Sequence, residues 1–270
     1  MLRCVYAAVA SMALVTSSHA GAAEAARPPA TGENFSLVDP ALTLIWVAPG
    51  SFLMSGTHGA GDDTMVTLTR GYWLGRTEVT QSQWQAVMDS FPLPSHFKGS
   101  DRPVEQVSWE LAVDFCRRIS EQERAAGRLP DGYEYCLPSE AQWEYACRAG
   151  TTGVYAGEIE KMAWFDANSG AQSHPVAQKQ PNAWGFYDLH GNITEWCADW
   201  YGAYPGGSVN DPTGVPNGQF RLVRGGAWSA PAGRCRSAFR LSSPGNHSIK
   251  FLGFRLALAP VRSVAPATVK

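Results

Sequence analysis

The chain has 270 residues, of which 44% are hydrophobic and 10 are tryptophan, so it holds ample material for one substantial core. Its net charge of −2 and charged fraction of 17% leave no basic stripe for nucleic acid or anionic lipid. A neutral or peptide-like partner fits this composition better.

The first 20 residues have the order of a secretory signal peptide. A charged start at Arg3 precedes an apolar run over residues 5–15, and the small residues Ser18 and Ala20 follow. The run is too short to cross about 30 Å of bilayer, which needs roughly 20 apolar residues. We therefore expect cleavage, after Ala20 or equally after Ala23, and no stable membrane insertion. The sequence predicts an exported protein, periplasmic or secreted.

We divide the chain into a signal peptide (1–20), a disordered leader (21–33), one domain (34–262) and a tail (263–270). The leader is rich in alanine and proline, which is typical of a disordered segment. No internal linker divides the domain.

Two strands are predicted near the start of the domain. Residues 42–47 are rich in β-forming side chains, and a turn at Pro49 and Gly50 leads into a second strand over residues 51–56.

Two helices begin with the pattern of a capping box. Thr80 and Ser139 each stand three residues before a glutamine, Gln83 and Gln142, whose side chain reaches back to the capping residue. Gly150 ends the later of these helices.

A further helix is predicted between these two. It begins at Ser108 and ends at Gly127, because apolar residues recur at helical spacing in the interval.

The last 110 residues are dense in glycine, proline, asparagine and tryptophan, and helix signals stop there. Strands are predicted at residues 220–223 and over residues 252–258, where apolar residues alternate. Such a chain must be held by buried aromatic residues and side-chain hydrogen bonds. The predicted class is α+β with much irregular structure.

Five cysteines remain after removal of the signal peptide, which leaves at least one thiol free or paired between chains. They are Cys116, Cys136, Cys147, Cys197 and Cys235. None has the spacing of a thioredoxin-like motif or a zinc knuckle.

Successive blocks along the domain resemble those of the sulfatase-modifying-factor (formylglycine-generating-enzyme-like) family, in family order. These blocks are residues 50–56, 77–80, 102–104, 107–109, 137–148, 181–188, 191–192, 195–196, 224–228, 236–240 and 253–255. The resemblance implies an α+β single domain of the formylglycine-generating-enzyme type, related to the C-type-lectin fold, with low regular secondary structure.

The resemblance also shows what this chain lacks. In the oxidases of the family, two cysteines after a Gly-Gly-Ser block bind copper(I), which prefers soft thiolates. Here Ala230 stands at the first position, and the segment is shortened where the second would fall. Copper is therefore not expected, and the catalytic residues, if any, stay unassigned.

The family pattern implies a disulfide between Cys147 and Cys235, which closes a loop that could stabilise the fold by about 4 kcal/mol. The alternative is that Cys235 is a reactive thiol. The other family disulfide would join the position of Cys116 to that of Leu256, so it cannot form. Cys116 then pairs with Cys136 or stays a buried thiol.

The segment over residues 188–195 resembles a family calcium site. Carried over by position, the ligands are the carboxylates of Asp188 and Glu195 and the carbonyls of Gly191 and Ile193, hard oxygen donors of the kind Ca²⁺ prefers. The alternative is a turn in which the two carboxylates only cap backbone amides. Thr194 replaces an aromatic residue of the oxidase cleft.

Histidines and tryptophans give weaker signals. His174, His190 and His247 lack the spacing of a metal site. Five tryptophans could line a ligand groove, although a core position is favoured for most of them: Trp143, Trp184, Trp196, Trp200 and Trp228.

Three functions are compatible with these features. The first is an exported maturation factor or oxidase that acts on a peptide-like or protein substrate, similar to periplasmic factors of siderophore maturation. The second is a non-catalytic binding module on the lectin-like scaffold. The third is formylglycine generation on sulfatases by a variant mechanism.

Overall fold

The computed structural model describes residues 28–54 and 63–261. The predicted signal peptide, most of the leader, the tail and the end of the strand predicted at 51–56 lie outside the described residues. Three sheets, four α-helices and one short 3-10 helix (Ala232–Arg234) account for the regular structure of the described part.

A five-stranded antiparallel sheet forms the centre of the fold. Its strands follow the order β1 (Phe35–Leu37), β2 (Leu42–Val47), β5 (Tyr72–Gly75), β12 (Ala257–Pro260) and β6 (Tyr133–Cys136). Strand β2 confirms the strand predicted at residues 42–47. The sheet is buried on both faces, because Trp73 packs into one apolar cluster while its neighbours Tyr72 and Leu74 pack into another.

Two smaller sheets flank the central sheet. One has the order β10 (Leu241–Ser243), β9 (Arg221–Arg224), β7 (Thr194–Trp200) and β11 (Leu252–Gly253). The other has the order β3 (Gly50–Met54), β4 (Thr64–Leu68) and β8 (Gly207–Asn210). The predicted strand after Pro49 is therefore β3, and it pairs with β4 rather than with β2.

The three predicted helices are confirmed as α1 (Gln81–Val87), α2 (Trp109–Ala125) and α3 (Glu140–Arg148). Both capping boxes form: Thr80 and Ser139 each accept a hydrogen bond from the backbone of the glutamine three residues on, whose side chain accepts in return. Ser108 caps α2, since its Oγ accepts from Leu111 N at 3.2 Å. A four-residue helix, α4 (Ile159–Met162), has no predicted counterpart. None of the described helices is long and apolar enough to span a bilayer.

The prediction of one strand over residues 252–258 is wrong. The segment splits into β11 and β12, which belong to different sheets. Between them the carbonyls of Phe254 and Leu256 accept hydrogen bonds from Val79 N (3.0 Å) and Gly75 N (2.7 Å). The alternating apolar residues are buried because the chain crosses from one sheet to the other inside the core.

Candidate functional site

Three of the four residues predicted as calcium ligands, Asp188, Gly191 and Ile193, lie on the turn that leads into β7, and Glu195 is the second residue of that strand. Asp188 and Gly191 have φ values of 59° and 90°, in the left-handed region. A Cβ atom at Gly191 would lie 2.3 Å from the carbonyl oxygen of Trp164, so no larger residue fits there. Gly191 N also donates to the carbonyl of Gly225 at 2.8 Å, so the turn is fixed against two other segments.

Beneath this turn lies a buried acidic cluster of Glu78, Asp188, Glu195 and Arg255, each at most 2% exposed. Arg255 donates to both oxygens of Glu195, at 2.6 Å and 2.7 Å. Trp143 Nε1 donates to Glu195 Oε2 at 2.7 Å. The cluster therefore holds three carboxyl groups and a single guanidinium group.

Burial raises the pKa of two of the carboxyl groups, those of Asp188 and Glu78. Burial raises the pKa of Asp188 to about 6, although the hydrogen bond from Ala177 N opposes the shift. Burial also raises the pKa of Glu78 well above its usual range, and the charges of Asp188 and Glu195 raise it further. The cluster thus favours either bound protons or an added cation.

The donor set fits a calcium ion in part. Asp188 Oδ1 is buried without a hydrogen-bond partner, which suits a metal ligand. Glu195 Oε2 accepts two hydrogen bonds and Oε1 accepts one from Arg255, so only Oε1 keeps a lone pair for a metal. Among the described residues no three His, Cys, Asp or Glu side chains converge as metal ligands, so the carbonyls of Gly191 and Ile193 would have to complete the shell. Calcium stays a prediction.

The segment over residues 225–235, which carries Ala230, packs directly on the turn. Thr194 Oγ1 donates to the carbonyl of Gly226 at 3.2 Å, and Trp228 N donates to the carbonyl of Asn192 at 2.8 Å. Thr194 is buried, so its hydroxyl holds the segment rather than lining an open cleft. The side chain at the position of the first copper cysteine is the half-buried methyl group of Ala230.

A patch of mixed character surrounds this segment. We name it the Trp228 surface: His96, Phe97, Trp228, Ala230 and Lys250. Phe97 meets the Trp228 ring edge-on at 5.3 Å, and Lys250 Nζ lies 5.3 Å from the same ring centre. His96 and Lys250 are exposed and Phe97 is half-buried, so the patch presents apolar and cationic groups together.

Glu105 lies under the Trp228 surface and was not predicted as a site residue. Its Oε1 accepts from Phe97 N at 2.8 Å, and its buried Oε2 has no hydrogen-bond partner. Burial raises its pKa to about 7, although the Phe97 amide opposes the shift. The sequence signal that could have pointed to Glu105 is its position, since it is an acidic residue directly after the family-like block 102–104.

The predicted Cys147–Cys235 disulfide is not formed in this structure, where both residues are buried free thiols. Cys147 Sγ lies 3.7 Å and 3.9 Å from the two ring nitrogens of His190, so the sulfur sits against the ring face. Burial raises the pKa of each thiol to about 12, which argues against a reactive Cys235.

His190 does not activate Cys147. Its Nδ1 lies 2.7 Å from the carbonyl of Cys235, while Ala156 N donates to Nε2 at 3.1 Å, and these contacts assign the proton to Nδ1. Burial lowers the pKa of His190 to about 4, so the ring stays neutral.

The other two histidines have separate local partners. His174 stacks on Trp164 at 3.8 Å, and His247 Nδ1 lies 3.1 Å from Ser243 Oγ. Neither belongs to a metal-ligating group in the part of the chain that the structure describes.

The tryptophans are mostly core residues, as expected. Trp143 and Trp196 are fully buried and Trp228 is 5% exposed. Trp184 and Trp200 are half-buried.

The fold and this site define a class of protein. The described residues form a mixed α+β domain with 18% helix and 25% strand, in which a glycine-rich segment packs on a turn above buried carboxyl groups. A family model described as "Sulfatase-modifying factor enzyme 1-like domain" matches residues 35–260. The chain belongs to this sulfatase-modifying-factor family, as its sequence blocks predicted.

Two relatives match this chain over different shares of its length. The chain is 30% identical to "Chaperone protein LppX" of Paenibacillus barcinonensis, over 82% of this chain and 89% of that protein. It is also 30% identical to the formylglycine-generating enzyme of Streptomyces coelicolor, over 58% of this chain. The chain spans about half the length of that enzyme, 52%.

Solved structures confirm the fold class. Treponema denticola variable protein 1 superposes with a TM-score of 0.76 at 30% identity, over 84% of this chain and 99% of that one. PvdO from Pseudomonas aeruginosa superposes with a TM-score of 0.74 at 22% identity, over 85% and 99%. At that identity PvdO supports the fold alone.

Proposed function

We propose that the protein is an exported maturation factor that binds a peptide segment of another protein at the Trp228 surface. The observation that carries the proposal is this patch, where Phe97 and Lys250 contact Trp228 beside Ala230. The half-buried ring of Phe97 offers apolar contact area at low entropy cost, the buried Trp228 ring holds it in place, and the exposed Lys250 adds attraction for carbonyl or carboxylate groups. Export rests on the signal-peptide pattern of residues 1–20.

The chemistry of the segment favours binding over copper-dependent oxidation. Ala230 has no thiol, and Cys235 is buried with a raised thiol pKa. The formylglycine-generating relatives act on protein substrates, whereas the relative matched over most of its length is named a chaperone. A protein that keeps the substrate-binding scaffold without the copper thiols can assist a client protein by holding it.

A peptide-library selection against the purified protein tests the proposal. Peptides enriched on the wild type should bind Phe97→Ala and Lys250→Ala at least about tenfold more weakly, a loss of about 1.4 kcal/mol each. Phe220→Ala is the matched control, because Phe220 is a 43% exposed phenylalanine outside the patch. Equal losses in Phe97→Ala and Phe220→Ala would contradict the assignment. Capture of glycans but not peptides would favour the lectin-like binding module.

A second assay addresses oxidation. The protein is incubated with copper and a Cys-x-Pro-x-Arg peptide, and mass spectrometry follows thiol-to-aldehyde conversion. We expect none, because the chain lacks the thiol pair. Conversion would restore formylglycine generation by a variant mechanism.

A further inference from the structure

Two cysteines that are not part of the Trp228 surface, Cys116 and Cys136, lie at the junction of α2 and β6. The junction is fixed by Ser120, whose Oγ accepts from Tyr135 N at 3.0 Å and contacts the carbonyl of Tyr135 at 3.4 Å. The chain reverses direction after Gly127, which has a φ of 69°, so β6 runs back along α2. The Ser120–Tyr135 contact therefore sets the register between helix and strand.

This register places Cys116 and Cys136 in the same direction along the helix and strand axes from the Ser120–Tyr135 contact. Cys116 lies one helical turn before Ser120, about 6 Å along the axis. Cys136 lies one residue beyond Tyr135, about 3.3 Å along the strand. Because helix and strand run in opposite directions, both steps lead the same way. Both cysteines line one open groove of about 310 Å³, together with Ser120 and Tyr135.

The two thiols differ in access. Cys136 is half-buried, whereas Cys116 is 3% exposed. Burial raises the pKa of the Cys116 thiol, and the charge of the nearby Cys136 raises it further. A dissolved disulfide reagent therefore reacts with Cys136 first. The buried Cys116 thiol reacts only after the reagent has formed a mixed disulfide with Cys136 in the groove.

We propose that Cys116 and Cys136 form an intramolecular disulfide when the folded protein meets a small disulfide oxidant such as oxidised glutathione. The Cys136 thiolate attacks one glutathione sulfur, forms a mixed disulfide and releases the first glutathione as its thiolate. Cys116 then loses its proton and attacks the Cys136 sulfur, which releases the second glutathione. The two cysteines are oxidised and one disulfide reagent is reduced to two thiols.

The bond would tie α2 to the edge of the central sheet. Strand β6 is the last strand of that sheet, and Cys136 is paired in register with Ala257 of β12. A crosslink from Cys116 would therefore join the long helix to an edge strand that is itself paired with β12.

The test treats native wild-type protein with oxidised glutathione and blocks remaining accessible thiols with N-ethylmaleimide before unfolding. Digestion then uses trypsin and a glutamate-specific protease, because Glu140 and Glu144 separate Cys136 from Cys147. Mass spectrometry should find a Cys116–Cys136 peptide pair that is two hydrogens lighter than its free components. Reduction with dithiothreitol should abolish the pair.

Two variants identify the order of attack. Cys116→Ser should retain one glutathione on Cys136, and Cys136→Ser should give neither adduct nor crosslink at these positions. The wild-type result decides the proposal even if a variant fails to fold. A lasting glutathione adduct on Cys136 of the wild type, or a crosslink from Cys136 to another cysteine, would overturn it.

Discussion

Two buried charge networks in the described part of the chain are balanced in different ways. In the first, Glu144 binds Arg148 at 2.8 Å and also Arg224, while Arg240 donates to both oxygens of Glu140 at 2.6 Å and 2.8 Å. Two acids there face three arginines. The buried acidic cluster around Asp188 instead has three carboxyl groups and only Arg255. The first network neutralises its acids with arginines of the chain itself, whereas the second depends on protons or an added cation.

The largest expected effect comes from a substitution that disrupts the buried acidic cluster. Arg255→Met removes its single cation and leaves Glu195 buried and uncompensated. We expect the free energy of unfolding to fall by about 3–5 kcal/mol, because an unpaired buried charge is costly. Urea unfolding without added calcium measures the loss. A loss below about 1 kcal/mol would mean that the cluster does not depend on Arg255.

Added calcium tests whether the buried acidic cluster binds a further cation. At about 100 times its dissociation constant, Ca²⁺ should raise the free energy of unfolding by about 2.7 kcal/mol, and a chelator should reverse the gain. Asp188→Asn should abolish the response, since it removes the carboxylate whose Oδ1 has no partner. Asp114→Asn, a change on the outer face of α2, should leave it intact. An unchanged melting temperature of the wild type would contradict the predicted site.

Glu105 adds a third case to the comparison of the two networks, because it is buried beside neither an arginine nor a predicted metal. Its folded pKa of about 7 lies above the value of an exposed glutamate, so the folded state favours the protonated form. The contribution of Glu105 to stability should therefore be fully present below about pH 4 and fall by on the order of 1–3 kcal/mol as the pH rises to about 7. Comparing unfolding of the wild type and Glu105→Gln across this range isolates the contribution. Identical pH profiles would show that the carboxyl group does not titrate this way.

The smallest effect is expected on the surface. Arg117 binds Asp114 and Glu121 on α2, but its side chain is 54% exposed. Arg117→Ala should leave the free energy of unfolding nearly unchanged, because water screens exposed pairs. A loss as large as that of Arg255→Met would remove the distinction between buried and exposed pairs.

Much of the fold was predictable because its signals are local. Thr80, Ser108 and Ser139 fix the starts of three helices through bonds to residues three positions away. The candidate site was predictable only where its residues are close in the chain, as on the turn from Asp188 to Glu195. Glu78 and Arg255 join that turn from more than 50 residues away on either side. Both stand in family-like blocks, but no local pattern predicts that they meet the turn.

By itself, the sequence determined the family, the starts of α1, α2 and α3, and the absence of a cysteine at position 230. Only the tertiary structure decided that residues 252–258 divide between two sheets, that Arg255 binds Glu195, and that Glu105 is buried under Phe97. The physical reason is that capping bonds need only neighbouring residues, whereas burial and the resulting pKa shifts depend on segments that meet only when the chain is folded.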